Sequence, residues 1–390
     1  MTSLRSRFDP IMFTAKRPPV VMVRGRGSWL EDEDGRAYLD FIQGWAVNCL
    51  GHAPAPIVEA AAAQAACLIQ CSPSFYSRPL LDLASLLVEH SAFDRVFFTN
   101  CGAEANEGAI KLARKWGQKS RSGAYEIVTM TNSFHGRTLA AMSASGRPGW
   151  GRLFEPKVPG FPKALLNDLS SVERCIGERT VAVMVEPVQG EGGVNLASED
   201  FITGLRDLTR RHGLLLIFDE VQTGMGRTGT LFAYEHFGVE PDIMTLGKGI
   251  GGGAPLAALL AREEVCCFEP GDQGGTFNGG ALVTAIGAAV FRVVSDPTFL
   301  ARVRAAGNHL QARLRELSAR HGEGEVRGRG LLVALALTAD RAHDIVARAF
   351  DAGLLVNAPR ANVLRFMPAL NVTHDEIDAM IERLDPLLGA

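Results

Sequence analysis

The sequence predicts an α/β protein with a mostly parallel sheet and a second, smaller α+β lobe. Short apolar runs recur through the middle of the chain, at residues 96–99, 127–130, 181–185, 214–218 and 243–246. Each run is too short for a helix and rich in β-branched or aromatic residues, as in strands buried on both faces of a parallel sheet. Amphipathic stretches lie between these runs, and strands that alternate with helices are typical of an α/β layer fold.

The stretch after the first of these strands predicts a helix. Its apolar residues recur at helical spacing, at Ala105, Ala109, Leu112, Ala113 and Trp116. Acidic residues open the stretch and basic residues close it, which suits the dipole of a helix. This segment therefore begins the alternation of strand and helix that the rest of the middle region repeats.

The two ends of the chain predict the smaller lobe. Strand-like pieces lie at residues 20–23, 38–42, 331–337 and 363–367, and helical stretches lie at 281–294 and 302–317. The arginine-rich segment 325–329 is interpreted as a solvated turn. We expect both ends to meet in one lobe, which divides the chain into residues 1–50, a large domain at 51–280 and a small domain at 281–390.

Composition excludes several classes of protein. The chain has 390 residues, of which 47% are hydrophobic and 21% are charged, so it is neither disordered nor fibrous. The formal net charge is -3, which leaves no basic excess to drive binding to nucleic acid. The seven cysteines contain no C-x-x-C pair, so neither a disulfide framework nor a zinc site is expected.

Nothing in the sequence predicts a membrane protein or a secreted one. Residues 1–19 contain charges and prolines, including Lys16, but no apolar core of a signal peptide. The longest uncharged run, residues 273–291, includes Asn278 and several glycines, so we interpret it as a buried segment instead of a membrane span. A reducing cytoplasm is the compartment that fits this composition.

Lys248 stands in a setting unlike that of the other lysines. It follows the predicted strand 243–246 and is flanked by Gly247, Gly249 and the glycines of residues 251–253. Small neighbours let the backbone approach a ligand, and a desolvated lysine has a lowered pKa and can attack a carbonyl. A surface lysine in a flexible loop is the alternative.

Asp219 follows another predicted strand, and ligands of open α/β sheets bind beyond the carboxyl ends of strands. A lysine and a carboxylate together suit pyridoxal phosphate, which needs a lysine for its aldehyde and an acid for its ring nitrogen. At about 4 Å such a charge pair is worth roughly 4 kcal/mol at an effective dielectric near 20. A helix cap or a structural ion pair is the alternative role for Asp219.

Gly102 and Ala103 begin the predicted helix, directly after strand 96–99. Free N–H groups at a helix start bind phosphate, and a glycine there allows close approach of the backbone. Many helices begin in this way, so this feature indicates a phosphate site only in combination with Lys248 and Asp219.

Six motifs together resemble those of the class III aminotransferases, in the order found in that family. They are residues 100–107 (NCGAEANE), 134–138 (FHGRT), 186–193 (EPVQGEGG), 218–229 (FDEVQTGMGRTG), Lys248 with its glycines, and 275–280 (GTFNGG). The likeness covers nearly the whole chain and implies the type I fold of pyridoxal-phosphate-dependent transferases. Within the class, the length and residues 44–52 (GWAVNCLGH) are most similar to acetylornithine aminotransferases of arginine biosynthesis.

The resemblance implies how the cofactor is held. Lys248 would bind its aldehyde carbon covalently, and Asp219 would pair with the pyridinium nitrogen. The other contacts would come from Gln222 at the ring hydroxyl, Phe134 on the ring, Gly102 and Ala103 at the phosphate, and Thr276 of the partner subunit. A homodimer with shared active sites is therefore expected. Cys101 stands where the family usually has Ser or Thr. Because the phosphate contacts there come largely from the backbone, the resemblance implies that the change is tolerated, with some cofactor affinity lost with the hydroxyl. His135 is assigned to packing.

The resemblance also implies two small-molecule substrates, an amine donor and 2-oxoglutarate. Arg365 matches the family arginine for the carboxylate next to the reacting carbon, and Glu191 matches the glutamate that neutralises it when the amine is bound. Arg137 would hold the far carboxylate, and Trp45 would line the distal pocket. The donor would be N-acetylornithine, with succinylornithine, ornithine, 4-aminobutyrate and diamines as alternatives.

Other classes of protein fit the sequence less well. Residues 224–229 satisfy the G-x-G-x-x-G pattern of dinucleotide-binding dehydrogenases, but they do not directly follow a strand, and residues 230–237 make a poor first helix. A phosphate-binding P-loop fails because the upstream glycine is replaced by Asp242 and the following Ser or Thr by Gly249. A non-catalytic regulator that binds pyridoxal phosphate would need a DNA-binding appendage, for which the chain has no room.

Overall fold

The structure is a computed structural model that describes residues 17–389 together with 8, 11, 12, 14 and 15. Lys16 and most of the N-terminal segment that we interpreted as lacking a signal peptide lie outside the described residues. The strands, numbered along the chain, are Met22–Arg26 (β1), Trp29–Asp32 (β2), Ala37–Asp40 (β3), Arg95–Thr99 (β4), Glu126–Met130 (β5), Lys163–Ala164 (β6), Thr180–Val185 (β7), Val188–Gln189 (β8), Asn195–Leu196 (β9), Leu215–Asp219 (β10), Ile243–Leu246 (β11), Ala257–Ala261 (β12), Val326–Arg329 (β13), Leu332–Ala336 (β14), Leu354–Leu355 (β15), Asn357–Arg360 (β16) and Val363–Phe366 (β17). The longer helices are Ala55–Ala65 (α1), Arg78–Glu89 (α2), Gly102–Ser120 (α3), Leu139–Ala144 (α4), Leu169–Cys175 (α5), Glu199–His212 (α6), Ala281–Val294 (α7), Pro297–His321 (α8), Ala342–Asp351 (α9) and His374–Leu388 (α10).

A seven-stranded sheet forms the centre of the described chain. Its strands lie in the order β4-β12-β11-β10-β7-β5-β6, and β12 alone runs antiparallel to its neighbours. Every residue of β7, β10 and β11 is buried. Along β10, Leu215 and Ile217 pack into the core beneath α3, whereas Leu216 and Phe218 pack into the core on the other face. The prediction of a mostly parallel sheet buried on both faces is confirmed.

The carboxyl ends of the parallel strands meet at one edge of this sheet. Thr99 ends β4, with two residues between it and the start of α3, and Asp219 ends β10. Lys248 follows β11 after a single glycine. The same edge receives Glu186, which directly follows β7. The topology thus brings residues from distant parts of the sequence to one place.

The second part of the fold combines both ends of the chain. The sheet β1-β2-β3 is extended by β15, whose Leu354 pairs with Leu39 of β3 in parallel. A separate antiparallel sheet has the order β13-β14-β17-β16 and packs against α8 and α9. This arrangement confirms the predicted fold class, with its smaller α+β part built from both ends. The boundaries at residues 50 and 280 stay a prediction.

Two local predictions are wrong. Residues 325–329 are not a solvated turn, because β13 occupies most of the segment and its side chains are half-buried. The run 273–291 is not buried throughout, because its first part is a largely exposed loop in which Phe277 is 68% exposed. Within the described residues, no single helix is long and apolar enough to cross a membrane, although α7 and α8, bent by 72°, pass the length and composition test as a pair.

Candidate active site

A cavity of about 260 Å³ opens at the carboxyl edge of the central sheet. Eight residues singled out from the sequence line it: Gly102, Ala103, Phe134, Arg137, Glu191, Asp219, Gln222 and Lys248. Arg365 joins them through a direct contact with Glu191. The cavity therefore brings together residues from four strand ends and two loops.

Lys248 occupies a backbone conformation that most side chains avoid. Its φ angle is +47°, in the left-handed region, where a residue other than glycine costs of order 1–3 kcal/mol. Gly247, directly before Lys248, lets the backbone pack closely against Val221, because a Cβ atom at position 247 would lie 3.0 Å from Val221 Cγ1. Burial lowers the pKa of the Lys248 amine, although the nearby carboxylates of Glu191 and Asp219 oppose this shift. A lowered pKa gives the amine more of its neutral, nucleophilic form.

Asp219 is held at the base of the cavity by three hydrogen-bond donors. Its Oδ2 atom lies 2.8 Å from Asn106 Nδ2 and 2.8 Å from His135 Nδ1, and its Oδ1 atom accepts the Val221 N–H at 3.0 Å. Asn106 is fixed in turn, because its Oδ1 accepts the Thr245 hydroxyl at 2.7 Å. Three donors fix the orientation of this buried carboxylate.

These contacts extend what the sequence predicted. The assignment of His135 to packing is incomplete, because the ring is buried but also contacts Asp219. Asn106 was missed entirely. A signal existed, since Asn106 is the polar residue among alanines and glycine on the buried face of α3. A buried amide needs partners, and the partners here belong to strands far away in the sequence.

Glu186 is a second carboxyl group that sequence reasoning missed. It is buried, lines the cavity and accepts the Phe134 N–H at 3.0 Å through Oε2. Burial raises the pKa of this carboxyl well above its usual value, and the charge of Asp219 adds to the effect. The available signal was its place directly after a buried strand, which is also the place of Asp219.

The start of α3 forms one wall of the cavity. Cys101 is the N-cap, and its side chain makes no capping hydrogen bond, so the first N–H groups of the helix stay open to an anion. Gly102 is required here, because a Cβ atom would lie 2.6 Å from Val221 Cγ1. On the opposite side, the ring of Phe134 packs at 59° against Trp150, and the guanidinium of Arg137 lies 5.3 Å from the Trp150 ring centroid.

Arg365 and Glu191 form a buried ion pair beside Lys248. Arg365 Nη2 lies 2.7 Å from Glu191 Oε1, and Arg365 is fully buried. Its Nε donates to Asn357 Oδ1 at 3.1 Å, and its Nη1 donates to Gln222 Oε1 at 3.4 Å. Burial alone would raise the pKa of Glu191, but the charge and hydrogen bond of Arg365 lower it overall. Removing one partner of such a pair typically costs 3–5 kcal/mol because the other charge is left buried.

Two predicted residues lie outside the cavity of the single chain. Trp45 is 55% exposed and has a φ angle of +64°. Thr276 is exposed on the loop before α7, where its carbonyl oxygen accepts Gln70 Nε2 at 3.0 Å. Neither residue is among those that line the cavity, and their roles stay predictions.

The segment that suggested a dinucleotide site does not have the required structure. Residues 224–229 form consecutive turns, and the helix that follows is a 3₁₀ helix of only 5 residues, Ala233–Phe237. Glu220 to Thr223 separate the glycines from β10. A pyrophosphate would therefore find no extended helix N-terminus at this point.

Comparisons with known proteins agree with this geometry. The model of the class-III aminotransferase family matches residues 12–388. The chain is 59% identical over 387 residues to the acetylornithine aminotransferase of Ralstonia nicotianae, covering 97% of each protein.

Among solved structures, the N-acetylornithine aminotransferase from Stenotrophomonas maltophilia has a TM-score of 0.85 and 36% identity, covering 98% of this chain and 97% of that one. The ornithine aminotransferase from Toxoplasma gondii has a TM-score of 0.94 and 31% identity, covering 100% and 95%.

The residues present fit pyridoxal phosphate, the cofactor of this class. Asp219 offers a charged oxygen at the base of the cavity, Lys248 offers an amine, and the start of α3 offers N–H donors. Gln222 Nε2 is buried without a hydrogen-bond partner in the described chain, as expected of a donor that faces a ligand. With this site and a family model that spans residues 12–388, the chain belongs to the class III aminotransferases.

Proposed function

We propose that this enzyme transfers the terminal amino group of N-acetylornithine to 2-oxoglutarate, giving the semialdehyde and glutamate. The observation that carries the choice of donor is the 59% identity, across 97% of both chains, to a protein named acetylornithine aminotransferase. The ion pair of Arg365 and Glu191 supports two substrates of different charge, because one site must accept both an amine without a nearby carboxylate and a keto acid with one.

The proton transfers are assigned to Lys248. Bound pyridoxal phosphate supplies an aldehyde for capture of the amine and a ring that accepts electrons. The Lys248 amine, whose pKa burial lowers, would take the proton from the substrate carbon that carries the nitrogen and return it on the other side of that nitrogen. Asp219 would keep a proton on the ring nitrogen, and Asn106 and His135 would hold its carboxylate toward that atom.

Three further groups would orient the cofactor and one would protect it. Gln222 would donate its unpartnered Nε2 to the ring hydroxyl, and Phe134 would cover one face of the ring. Gly102 and Ala103 would donate backbone N–H groups to the phosphate. Glu186, whose pKa burial raises, would hold the backbone of Phe134 and keep water from the ring.

Two arginines would recognise the substrates. Arg365 would clamp the carboxylate beside the keto carbon of 2-oxoglutarate, as guanidinium forks do. Glu191 would neutralise Arg365 while N-acetylornithine occupies the site and would turn away for the keto acid. Arg137, exposed at the mouth of the cavity, would hold the far carboxylate of either substrate, and Trp45 would line the distal pocket.

The active unit is proposed to be a homodimer. Several large apolar side chains are exposed around a groove of about 720 Å³, including Phe75 and Tyr76, the latter 84% exposed. The exposed loop that carries Thr276 and Phe277 adjoins this groove through Gly275 and Asn278. A contiguous apolar surface of this kind is typical of an interface. Thr276 would then reach the phosphate in the partner subunit.

The compartment is proposed to be the cytoplasm, without nucleic-acid or membrane partners. All seven cysteines are free, and two of them, Cys266 and Cys267, are neighbours in sequence. Free thiols persist in reducing surroundings. The formal net charge of -3 leaves no excess of basic residues, which nucleic-acid-binding proteins usually have.

A panel of donors tests the proposal. The purified holoenzyme would be assayed with 2-oxoglutarate and each of N-acetylornithine, N-succinylornithine, ornithine, 4-aminobutyrate and a diamine, with glutamate release as the readout. We expect the highest kcat/KM for N-acetylornithine. A tenfold higher value for any other donor would contradict the choice of donor, and no glutamate from any of them would contradict the acceptor.

A further inference from the structure

We propose that Arg327 and Arg360, which lie outside the cavity, are positioning residues that hold the loop carrying Glu191. This inference rests on the proposed role of Glu191 as the group that neutralises Arg365. The loop consists of residues 190–194 and joins β8 to β9, and we call it the gate loop. The two arginines belong to β13 and β16 of the other antiparallel sheet.

Arg327 binds the C-terminal end of the gate loop. Its Nη2 and Nε atoms donate to the Gly193 carbonyl oxygen at 2.8 and 3.1 Å, and Nε also lies 3.2 Å from the carbonyl oxygen of Val194. Bidentate donation from a charged, planar group fixes both the position and the orientation of its acceptor. The guanidinium is half-buried, and its Nη1 atom also lies 3.4 Å from the exposed carboxylate of Glu325.

Arg360 binds the same loop at the residue that directly follows Glu191. Its Nε donates to the Gly192 carbonyl oxygen at 3.2 Å, and its Nη2 donates to Asn132 Oδ1 at 3.1 Å. Asn132 precedes Phe134 by two residues, so this arginine ties the gate loop to the segment that carries Phe134 as well. Consecutive carbonyl groups of residues 192, 193 and 194 are thus all occupied by arginine donors from the smaller part of the fold.

The gate loop needs such contacts to keep its shape. Val194, a β-branched residue, has a φ angle of +58°, and Gly193 has a φ angle of +115°. Sparsely populated backbone conformations persist only where the surroundings enforce them. Val194 is also fully buried, in a cluster with Leu332 and Ala334 of β14 and Val363 of β17. A loop in this conformation would relax toward commoner angles if its carbonyl groups lost their charged donors.

The consequence concerns how Glu191 moves. With residues 192–194 held by the arginines and β8 ending two residues before Glu191, the carboxylate can leave Arg365 only by rotation of its own side chain and returns to the same place. If the loop drifted, Glu191 would be carried away from Arg365, and the arginine would be left unneutralised while the amine donor is bound. Loss of Arg327 should therefore imitate loss of Glu191 in part, harming the amine half-reaction more than the glutamate half-reaction.

The test compares Arg327→Met with Arg329→Met in the holoenzyme. Both variants remove a guanidinium from β13 and keep an apolar stem, but Arg329 contacts Glu199 and Phe237 instead of the gate loop. Stopped-flow absorbance would give the rate constants of the N-acetylornithine and glutamate half-reactions. We expect Arg327→Met to lower the ratio of the first to the second by about fivefold, within the usual range for residues that act through a neighbour. Arg329→Met should leave the ratio unchanged.

Glu191→Ala and the double variant complete the design. If positioning is the mechanism, Arg327→Met changes the ratio in the wild type but adds nothing in the Glu191→Ala background. A ratio unchanged by Arg327→Met, with Glu191→Ala shifting it, would overturn the positioning role alone. A ratio unchanged by Glu191→Ala would overturn the proposed gating itself. Equal loss in both half-reactions would mean a merely structural role and would also overturn the proposal.

A milder variant keeps the test decisive if Arg327→Met does not fold. Arg327→Lys preserves the charge and one donor but cannot bind Gly193 in the bidentate manner. We expect it to shift the ratio in the same direction by about twofold. A folded Arg327→Lys variant with the wild-type ratio, alongside Arg360→Met with the wild-type ratio, would reject the role of both arginines.

Discussion

His135 Nδ1 lies 2.8 Å from Oδ2 of Asp219, and both side chains are buried. A carboxylate oxygen accepts hydrogen bonds, so we assign the proton of this contact to Nδ1 of His135. His135 Nε2 has no hydrogen-bond partner in the described chain. The ring therefore serves Asp219 through one nitrogen only.

Removal of this contact should weaken the hold of Asp219 on the cofactor ring. We expect His135→Leu to lower kcat/KM by about 10–100-fold, the usual cost of losing a partner behind a binding group. The pH dependence of the visible absorbance of the bound cofactor should shift as well. Wild-type absorbance behaviour in a folded His135→Leu enzyme would show that Asn106 and Val221 suffice.

Lys248→Ala should abolish turnover. The variant loses the amine that captures the aldehyde and moves the proton, whereas Asp219 and the start of α3 remain in place. We therefore expect it to bind pyridoxamine phosphate, measured by titration calorimetry, and to release no glutamate. Lys119→Ala is the matched control, since Lys119 lies at the end of α3 in a surface ion pair with Glu269. Transamination that persists without Lys248 would refute its assignment.

Glu191→Ala should harm one half-reaction selectively. Without its partner, the buried Arg365 keeps an unpaired charge while N-acetylornithine is bound, whereas the carboxylate of glutamate can still pair with it. We expect the amine half-reaction to slow at least about tenfold more than the glutamate half-reaction, which corresponds to about 1.4 kcal/mol. Single-turnover absorbance measures both. Parallel losses would count against a neutralising role.

Glu220 should make the stability of the enzyme depend on pH. Burial raises the pKa of this carboxyl from an ordinary value of 4.5 to about 7, although the N–H groups of Ala233 and Tyr234 oppose the shift. The folded state then binds more protons than the unfolded state between these values, so stability falls as pH rises from about 4.5 to about 7.

Glu220→Gln isolates this contribution because glutamine does not titrate. Relative to the variant, the wild type should lose up to about 3 kcal/mol of unfolding free energy across that range and should change little above it. Denaturant unfolding of both proteins at several pH values measures the difference. A constant difference from pH 4 to 8 would contradict the prediction.

Phe277→Asp should split the proposed dimer. The side chain is 68% exposed in the single chain and adjoins the apolar groove, so a charge there would be buried at the interface without a partner. Sedimentation velocity should show a monomer, and activity should fall because Thr276 no longer reaches the partner subunit. Leu139→Asp is the control, since Leu139 is 62% exposed but lies away from the groove. A fully active monomer would remove the case for shared sites.

The central sheet could be predicted from sequence because its strands carry their own signal. Runs such as 181–185 are apolar at every position, and both faces of β7 are buried. Segment 325–329 was wrongly predicted to be a solvated turn, because arginine is usually exposed to solvent. Arg327 is instead satisfied by the carbonyl groups of Gly193 and Val194, more than 130 residues away in sequence. Contacts of that range leave no local periodicity.

The candidate site divides in the same way. Lys248 and Asp219 were found because each follows a buried strand and has a distinct chemistry. Glu186 also follows a buried strand, and Asn106 lies on the buried face of α3, but they bind through hydrogen bonds across 52 and 113 residues, which spacing along the chain does not reveal. The loop at 273–278 was wrongly predicted to be buried, because its apolar and small residues are typical of buried segments. In the single chain the loop is largely exposed.

The pairing of β3 with β15 ties together segments separated by most of the chain; Arg36, beside β3, binds the carbonyl oxygen of Phe350, 314 residues later. During synthesis on the ribosome, the edge of β3 that pairs with β15 stays open until β15 emerges. Open edges invite wrong partners, and pairings of such long range form slowly. The smaller lobe is therefore the part of this enzyme whose folding should depend most on chaperones, with the central sheet already formed when its last strand arrives.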